Sequence, residues 1–140
     1  MQKKKINKPK QIIGRIERVD FPELGIKDIY AKIDTGAYSN TLHCRDIQVK
    51  ENKLYFKVLD PGHPIFSQKE HCFADFKQKK IKNSFGEVEK RYLIKTNIKI
   101  AGRLIKSIIS LSDRGTMRYP VLIGRKSLRN KFVVDVSLKN

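Results

Sequence analysis

Residues 34–37 read Asp-Thr-Gly-Ala directly after the run Ile29-Tyr30-Ala31-Lys32-Ile33, and much later the chain reads Val121-Leu122-Ile123-Gly124-Arg125. Asp34 would stand on a tight turn at a strand end, where a carboxylate can serve as acid or base. The hydroxyl of Thr35 can hydrogen-bond across a pair of such turns. Gly36 lets a second backbone come close, because it has no Cβ. The apolar-apolar-Gly segment at 121–124 is suited to packing beneath the turn. Together these residues suit hydrolysis driven by carboxylates, whereas Asp-Thr-Gly by itself is also ordinary turn chemistry.

Hydrolysis of that kind needs two carboxylates a few ångströms apart that share one proton. Like charges so close cannot both ionise, so one acid is held protonated beside one base. The chain has a single Asp-Thr-Gly; Asp60-Pro61-Gly62 and Asp113-Arg114-Gly115 are its other Asp-x-Gly triplets, and neither follows an apolar strand. A dyad must therefore come from two copies of Asp34 across a twofold axis. Without one, Asp34 only makes a turn.

At 140 residues the chain has room for one domain but not for two catalytic lobes. A hydrophobic content of 39% argues for a folded protein, and the net charge of +17 argues for an acidic partner: nucleic acid, an anionic polypeptide or a ribosome. The bland alternative is a charged surface that serves solubility. Residues 1–10 hold five Lys and no acid and read as a disordered basic tail; residues 11–140 read as the folded domain. Lys77, Lys79, Lys80 and Lys82 form a second basic run. Two Cys give no disulfide framework and suit a reducing cytosol. No apolar run approaches the ~20 residues of a membrane span, and no apolar segment follows the basic N-terminus as a secretory signal requires. The expected location is the cytoplasm.

The elements that would position Asp34 are strands. Ile12 to Val19 reads as a strand, Pro22 and Gly25 mark a turn, and Ile29 to Ile33 is the strand entering Asp34. Ile47–Lys50 and Leu54–Leu59 predict a hairpin, and His63 to Gln78 predicts an irregular stretch followed by one strand. Asn83-Ser84-Phe85-Gly86 predicts a hairpin tip, and Arg91–Ile100 with Leu104–Leu111 a second hairpin turning at Ala101-Gly102-Arg103. Arg125 to Asn130 predicts one short helix and Phe132 to Val136 a terminal strand. Many short strands with one helix imply an all-β barrel or sandwich.

Ile33-Asp34-Thr35-Gly36-Ala37 and Pro120 to Leu128 resemble the two signature segments of retropepsins, the retroviral-type aspartic proteases. More closely, the chain is similar to a bacterial and archaeal retropepsin-like family commonly labelled "ATP-dependent zinc protease". The match is carried by Gly14-Arg15-Ile16-Glu17 with Pro22 to Gly25; Ala31 to Ala37 through Leu42-His43; Asn83 to Gly86 with Glu89 to Tyr92; and Ser112-Asp113-Arg114 with Met117 to Arg125. The resemblance implies a closed retropepsin-like barrel with a short C-terminal helix. It implies an aspartic-type endopeptidase acting as a homodimer, with Asp34, Thr35 and Gly36 as catalytic residues. It also implies Ala37, Phe85, Gly86, Arg118, Ile123 and Gly124 as substrate-binding residues, with no cofactor. That family's association with ligases that add glutamates to a ribosomal protein implies an acidic or glutamylated substrate.

Neither half of the family's label is carried by this sequence. Gly124-Arg125-Lys126-Ser127 lacks the residue order of a phosphate-binding loop, and no His-Glu-x-x-His occurs. His43-Cys44 and His71-Cys72, with His63 between, are the remaining metal-type residues, but adjacent strand residues point to opposite faces. Two departures from viral enzymes stand out. Many retropepsins carry an Asp four positions after the catalytic one, which pairs with the Arg of the Gly-Arg segment. That position is Tyr38, so Arg125 lacks this partner. The flap stretch offers only Gly86 near Phe85, where viral flaps are Gly-rich. Two further functions compete with the peptidase: a non-catalytic module that regulates a glutamate ligase or docks on the ribosome, and an RNA-binding protein.

Overall fold

The structure, a computed structural model, describes residues 9–59, 68–82, 85–113 and 118–140. Its strands are β1 (Gln11–Phe21), β2 (Ile26–Ile33), β3 (Asn40–Lys50), β4 (Lys53–Val58), β5 (Glu70–Phe73), β6 (Lys77–Lys82), β7 (Val88–Ile100), β8 (Arg103–Ser112), β9 (Val121–Ile123) and β10 (Phe132–Lys139). The one α-helix among the described residues is α1 (Arg125–Leu128). Strands β1-β2-β9-β3-β8-β7 neighbour one another in that order, and β7 pairs back onto β1 through Val19↔Ile100 and Asp20↔Lys99. Six strands thus close into a barrel, with no free edge within the ring. The retropepsin-like all-β architecture expected from the sequence is the one found.

Alternation explains the barrel wall. In β2, Ile29, Ala31 and Ile33 are buried while Tyr30 and Lys32 face out. Val121 and Ile123 of β9 do the same around Leu122. Inward side chains of β1, β2, β7, β8 and β9 meet Leu24, Leu42, Leu128 and Phe132 in one continuous core. Positive φ sits where hairpins turn: Glu51 and Asn52 between β3 and β4, Ala101 and Gly102 between β7 and β8.

Two elements differ from the sequence reading. Strand β3 begins at Asn40 rather than Ile47. Its first residues pair with β8 and β9 inside the barrel wall; from Cys44 onward it pairs with β4, across an irregularity between Arg45 and Gln48. Polar Asn40, Thr41 and His43 hide this strand because their partners lie in the tertiary structure. The described part of 63–78 holds β5 and the start of β6 rather than one strand; β5 pairs with β4, bringing the ring of His71 to 5.4 Å from that of Phe56. The hairpin expected at 83–86 is present as β6–β7, closing at Lys82↔Val88 with Gly86 at φ 81°. Asn83 and Ser84, the Asp60-Pro61-Gly62 turn, His63 and most of the expected basic tail lie outside the described residues.

Strand β6 ends the strand order, and Lys77, Lys79, Lys80 and Lys82 are exposed along it. Lysines on an edge strand oppose its pairing with another chain, so this run has a structural use whatever it binds. Among the described residues, no helix is long and apolar enough to cross a membrane.

Candidate active site

Asp34 leaves the end of β2, where its backbone N–H donates to Ile123 O at 2.8 Å. The turn closes as Ala37 N–H donates to Asp34 O at 3.1 Å, and Gly36 N–H donates to Asp34 Oδ1 at 3.1 Å. One carboxylate oxygen is thereby oriented by its own turn. Asp34 is half-buried while Thr35 and Gly36 are exposed, so the turn presents its polar groups outward.

Strand β9 holds this turn from below. It lies between β2, to which it is parallel, and β3, to which it is antiparallel. The chain then turns at Gly124, and the first amides of α1 reach the turn: Arg125 N–H donates to Ala37 O at 2.9 Å and Lys126 N–H to Tyr38 O at 3.0 Å. A Cβ on Gly124 would stand 2.5 Å from Ser39 O and 2.6 Å from Tyr38 C. The close backbone approach within the chain is therefore at Gly124 and not at Gly36, where a Cβ would meet only Asp34 Oδ1, at 3.3 Å.

Beneath the turn lies a residue the sequence reading passed over. Asn40, 2% exposed, accepts from Gly124 N–H at 2.9 Å through Oδ1. Its Nδ2 donates to Ser127 Oγ at 2.7 Å and to Ile108 O at 3.3 Å, and Ser127 Oγ lies 3.0 Å from Ser107 Oγ. This buried network ties β3, β8, β9 and α1 together below Asp34. Asn40→Ala leaves the Gly124 amide without its acceptor and Ser127 with Ser107 alone, and a buried unsatisfied group costs about 1–3 kcal/mol. We expect a loss of about 2–3 kcal/mol by urea unfolding. Asn40→Asp should not restore it, since an acid keeps the acceptor but buries a charge.

The remaining expected site residues separate into groups. Ala37 is half-buried within the turn. The side chain of Ile123 is fully buried in the core, and Gly124 is enclosed by backbone. Ile123 reaches Asp34 through its main-chain carbonyl, and Gly124 lies against the main chain of Tyr38 and Ser39. Phe85, 89% exposed, and Gly86 lie on the separate β6–β7 hairpin. Arg118 lines a cavity of 380 Å³ with Arg15, Ile16, Lys32, Ile33, Tyr119 and Leu122. Arg125, without a carboxylate at position 38, instead donates from Nη1 to Thr35 O at 3.0 Å and lies over the Tyr38 ring at 6.0 Å.

Among the described residues, Cys44, His43 and His71 are buried, while Cys72 is exposed. Burial, with the Asp113 charge nearby, pushes the Cys44 thiol well above its ordinary value, which suppresses the nucleophilic thiolate. Burial lowers both His43, against the opposing pull of Asp113, and His71, where Lys69 adds to the effect. Among the described residues, no three His, Cys, Asp or Glu side chains gather as a metal-binding set.

Comparison with known proteins agrees with this geometry. Residues 12–140 match the RimB-like family, described as retropepsin-like aspartic endopeptidase RimB. The chain belongs to that family. It is also 34% identical over 132 residues to a "Probable alpha-L-glutamate ligase" of Shewanella halifaxensis, and 32% identical over 134 residues to one of Desulfotalea psychrophila. These alignments cover 91% and 93% of this chain but 29% of each relative, so the chain spans under a third of their length. A crystal structure of a Legionella pneumophila protein of unknown function superposes with a TM-score of 0.68 at 25% identity, covering 94% of this chain and 97% of that one.

Proposed function

We propose that this chain is an aspartic-type endopeptidase that acts as a homodimer, each subunit contributing one Asp34, on an acidic or glutamylated protein. The observation that carries the reading is the Asp34 turn. Its main chain is fixed by Ile123 O, and one carboxylate oxygen is oriented by Gly36 N–H at a half-buried strand end. Two such turns across a twofold axis give the dyad. The ionised Asp34 takes a proton from water as the water oxygen attacks the scissile carbonyl, and the protonated Asp34 donates to the carbonyl oxygen. Collapse of the resulting tetrahedral centre breaks the C–N bond, with a proton delivered to the leaving nitrogen. The net charge of +17 favours an acidic substrate.

The relatives named as glutamate ligases favour a second reading, a non-catalytic module that works with a ligase. In those proteins the matching region is 29% of a longer chain. In that case Asp34 is retained for its turn hydrogen bonds.

The two readings part on the dimer and on inhibition. The peptidase reading expects two Asp34 carboxylates at hydrogen-bond separation, about 2.5–3.0 Å, in a dimer crystal. It also expects hydrolysis of a glutamate-rich peptide to be blocked by a statine peptide and not by a chelator. Monomers with separated Asp34 residues and no hydrolysis would support the module. Hydrolysis lost to chelator alone would point to a metal enzyme.

A further inference from the structure

We infer that the β6–β7 hairpin is a docking arm for single-stranded nucleic acid, which it holds through Lys80, Lys82 and Lys90 on the face turned away from Asp34. The inference stands whether or not Asp34 is catalytic.

Strand β7 pairs with β8 only from Tyr92 onward, whereas its pairing with β6 begins at Val88. Residues 79–82 and 88–91 therefore form a two-stranded ribbon that extends past the β7–β8 pairing. Register fixes the two faces of this ribbon. Leu93 lies opposite Ser110, Ser110 opposite Thr41, Thr41 opposite Leu122, and Leu122 opposite Lys32, two positions before Asp34. Cross-strand partners share a face of a sheet, as do alternate residues of one strand. Glu89, Arg91 and the partner of Arg91, Lys79, thus continue the outer wall that runs to the Asp34 turn. Lys80 opposite Lys90, and Lys82 opposite Val88, stand on the other face.

Residues 77–91 hold six Lys and Arg against two Glu, and the ribbon sorts these charges by face. Glu89 lies on the wall side, 3.8 Å from Arg91 Nη2. The other face carries Lys80, Lys82 and Lys90 and no acid within the paired strands. Among the described residues these three lysines form no salt bridge, and all are exposed. Like charges directly opposite one another, as Lys80 and Lys90 are, destabilise a strand pair. Protection of an exposed edge accounts for charge on these strands, but a Lys opposite a Glu would protect equally and attract as well. An anion seated between Lys80 and Lys90 removes the repulsion. Alternate strand residues are about 6–7 Å apart, so Lys80 and Lys82 meet successive anionic groups of an extended chain. Phe85, 89% exposed at the tip, adds an aromatic face. Single strands are held without sequence preference by cations that track the phosphates and by aromatic rings on which bases stack. An acidic peptide brings no base to such a ring.

The test measures binding of short fluorescent oligo-U and oligo-dT to the full chain by anisotropy across a salt series. Each phosphate contact to a single strand contributes a slope of about −0.7 in log K against log salt concentration. Lys80→Gln/Lys82→Gln/Lys90→Gln is therefore expected to reduce the slope by about 2 and to weaken both oligomers at least about tenfold at low salt. All three positions are exposed, and loss of the like-charged pair should leave the melting temperature at or above that of wild type. Phe85→Ala should weaken both oligomers about 5- to 100-fold with the slope unchanged, as lost stacking requires. Lys27→Gln/Lys53→Gln/Lys106→Gln removes equal charge from exposed positions elsewhere and should change affinity by less than about threefold. The inference is overturned if neither oligomer binds, if the ribbon variant binds as wild type does, or if the dispersed variant loses as much. It is also overturned if the ribbon variant loses a polyglutamate peptide and keeps the oligomers, which would make the arm a peptide site. Binding is read without hydrolysis, so its failure leaves the peptidase reading standing, and loss of that reading leaves the arm.

Discussion

Asp34→Asn is expected to reduce hydrolysis of a glutamate-rich peptide by at least about a thousandfold, within the range for removal of a general acid–base group. The fold should survive, and the separation of the two effects follows from the local geometry. The main chain at position 34 is held by Ile123 O and Ala37 N–H, neither of which senses the side-chain identity. The Gly36 amide needs only an acceptor at 3.1 Å, and an amide oxygen supplies one in place of the carboxylate. The half-buried position also leaves room for the NH2 group to meet solvent. An amide, however, neither accepts the proton of the attacking water nor shares a proton with the second Asp34. Thermal unfolding should therefore move by less than about 1 kcal/mol while turnover disappears. The assay compares initial rates at several pH values for wild type and variant purified side by side. Equal rates would remove Asp34 from the mechanism; a variant that unfolds would show the carboxylate to be structural and favour the binding-module reading.

The parts of this site that were legible in the sequence are those made by contiguous residues. Asp34-Thr35-Gly36 announces its turn because the turn is short and local, and Val121 to Gly124 announces a buried strand ending in a tight contact. Within the chain, the close contact belongs to the other glycine. Gly36 sits in the motif, but the backbone that approaches is that of Tyr38 and Ser39 against Gly124, a relation set by the insertion of β9 between β2 and β3. Asn40 was invisible for a related reason. Tyr38-Ser39-Asn40 has the composition of a turn, and only the arrival of Gly124, Ser127 and Ile108 from three other elements turns its amide into a buried junction. The alternation in Ile29 to Ile33 announced a strand entering Asp34. What it lacked was the register with Ile16, which brings Arg15 alongside. The barrel was legible because strands at short intervals leave few other ways to bury their inward faces; the extra strand β5 was missed because four residues carry too little alternation to read.

Gly124→Val should cost about 3 kcal/mol or more and lower the melting temperature by roughly 10 °C, with hydrolysis lost as a consequence. Backbone conformation is not the cause, since φ at Gly124 is −93°, a value open to any residue. The cause is space. A Cβ would lie 2.5 Å from Ser39 O, 2.6 Å from Tyr38 C and 2.7 Å from Tyr38 O, and all three are main-chain atoms that cannot swing aside. Relief requires β9 and the Asp34 loop to separate. That movement stretches the bonds from Arg125 N–H to Ala37 O, from Lys126 N–H to Tyr38 O and from Gly124 N–H to Asn40 Oδ1. Overpacking typically costs 1–3 kcal/mol, and weakened buried hydrogen bonds add to it. Gly36→Ala provides the contrast, because its Cβ meets only the Asp34 carboxylate oxygen, at 3.3 Å, and no backbone outside its own turn. That variant should melt within about 1 kcal/mol of wild type yet hydrolyse poorly, since the oriented oxygen is the group it displaces. Calorimetric melting of both variants, paired with peptide-cleavage rates, reads the two effects separately. A stable Gly124→Val protein would mean that the loop and β9 are not in rigid contact. The fixing of Asp34 by Ile123 would then lose its basis.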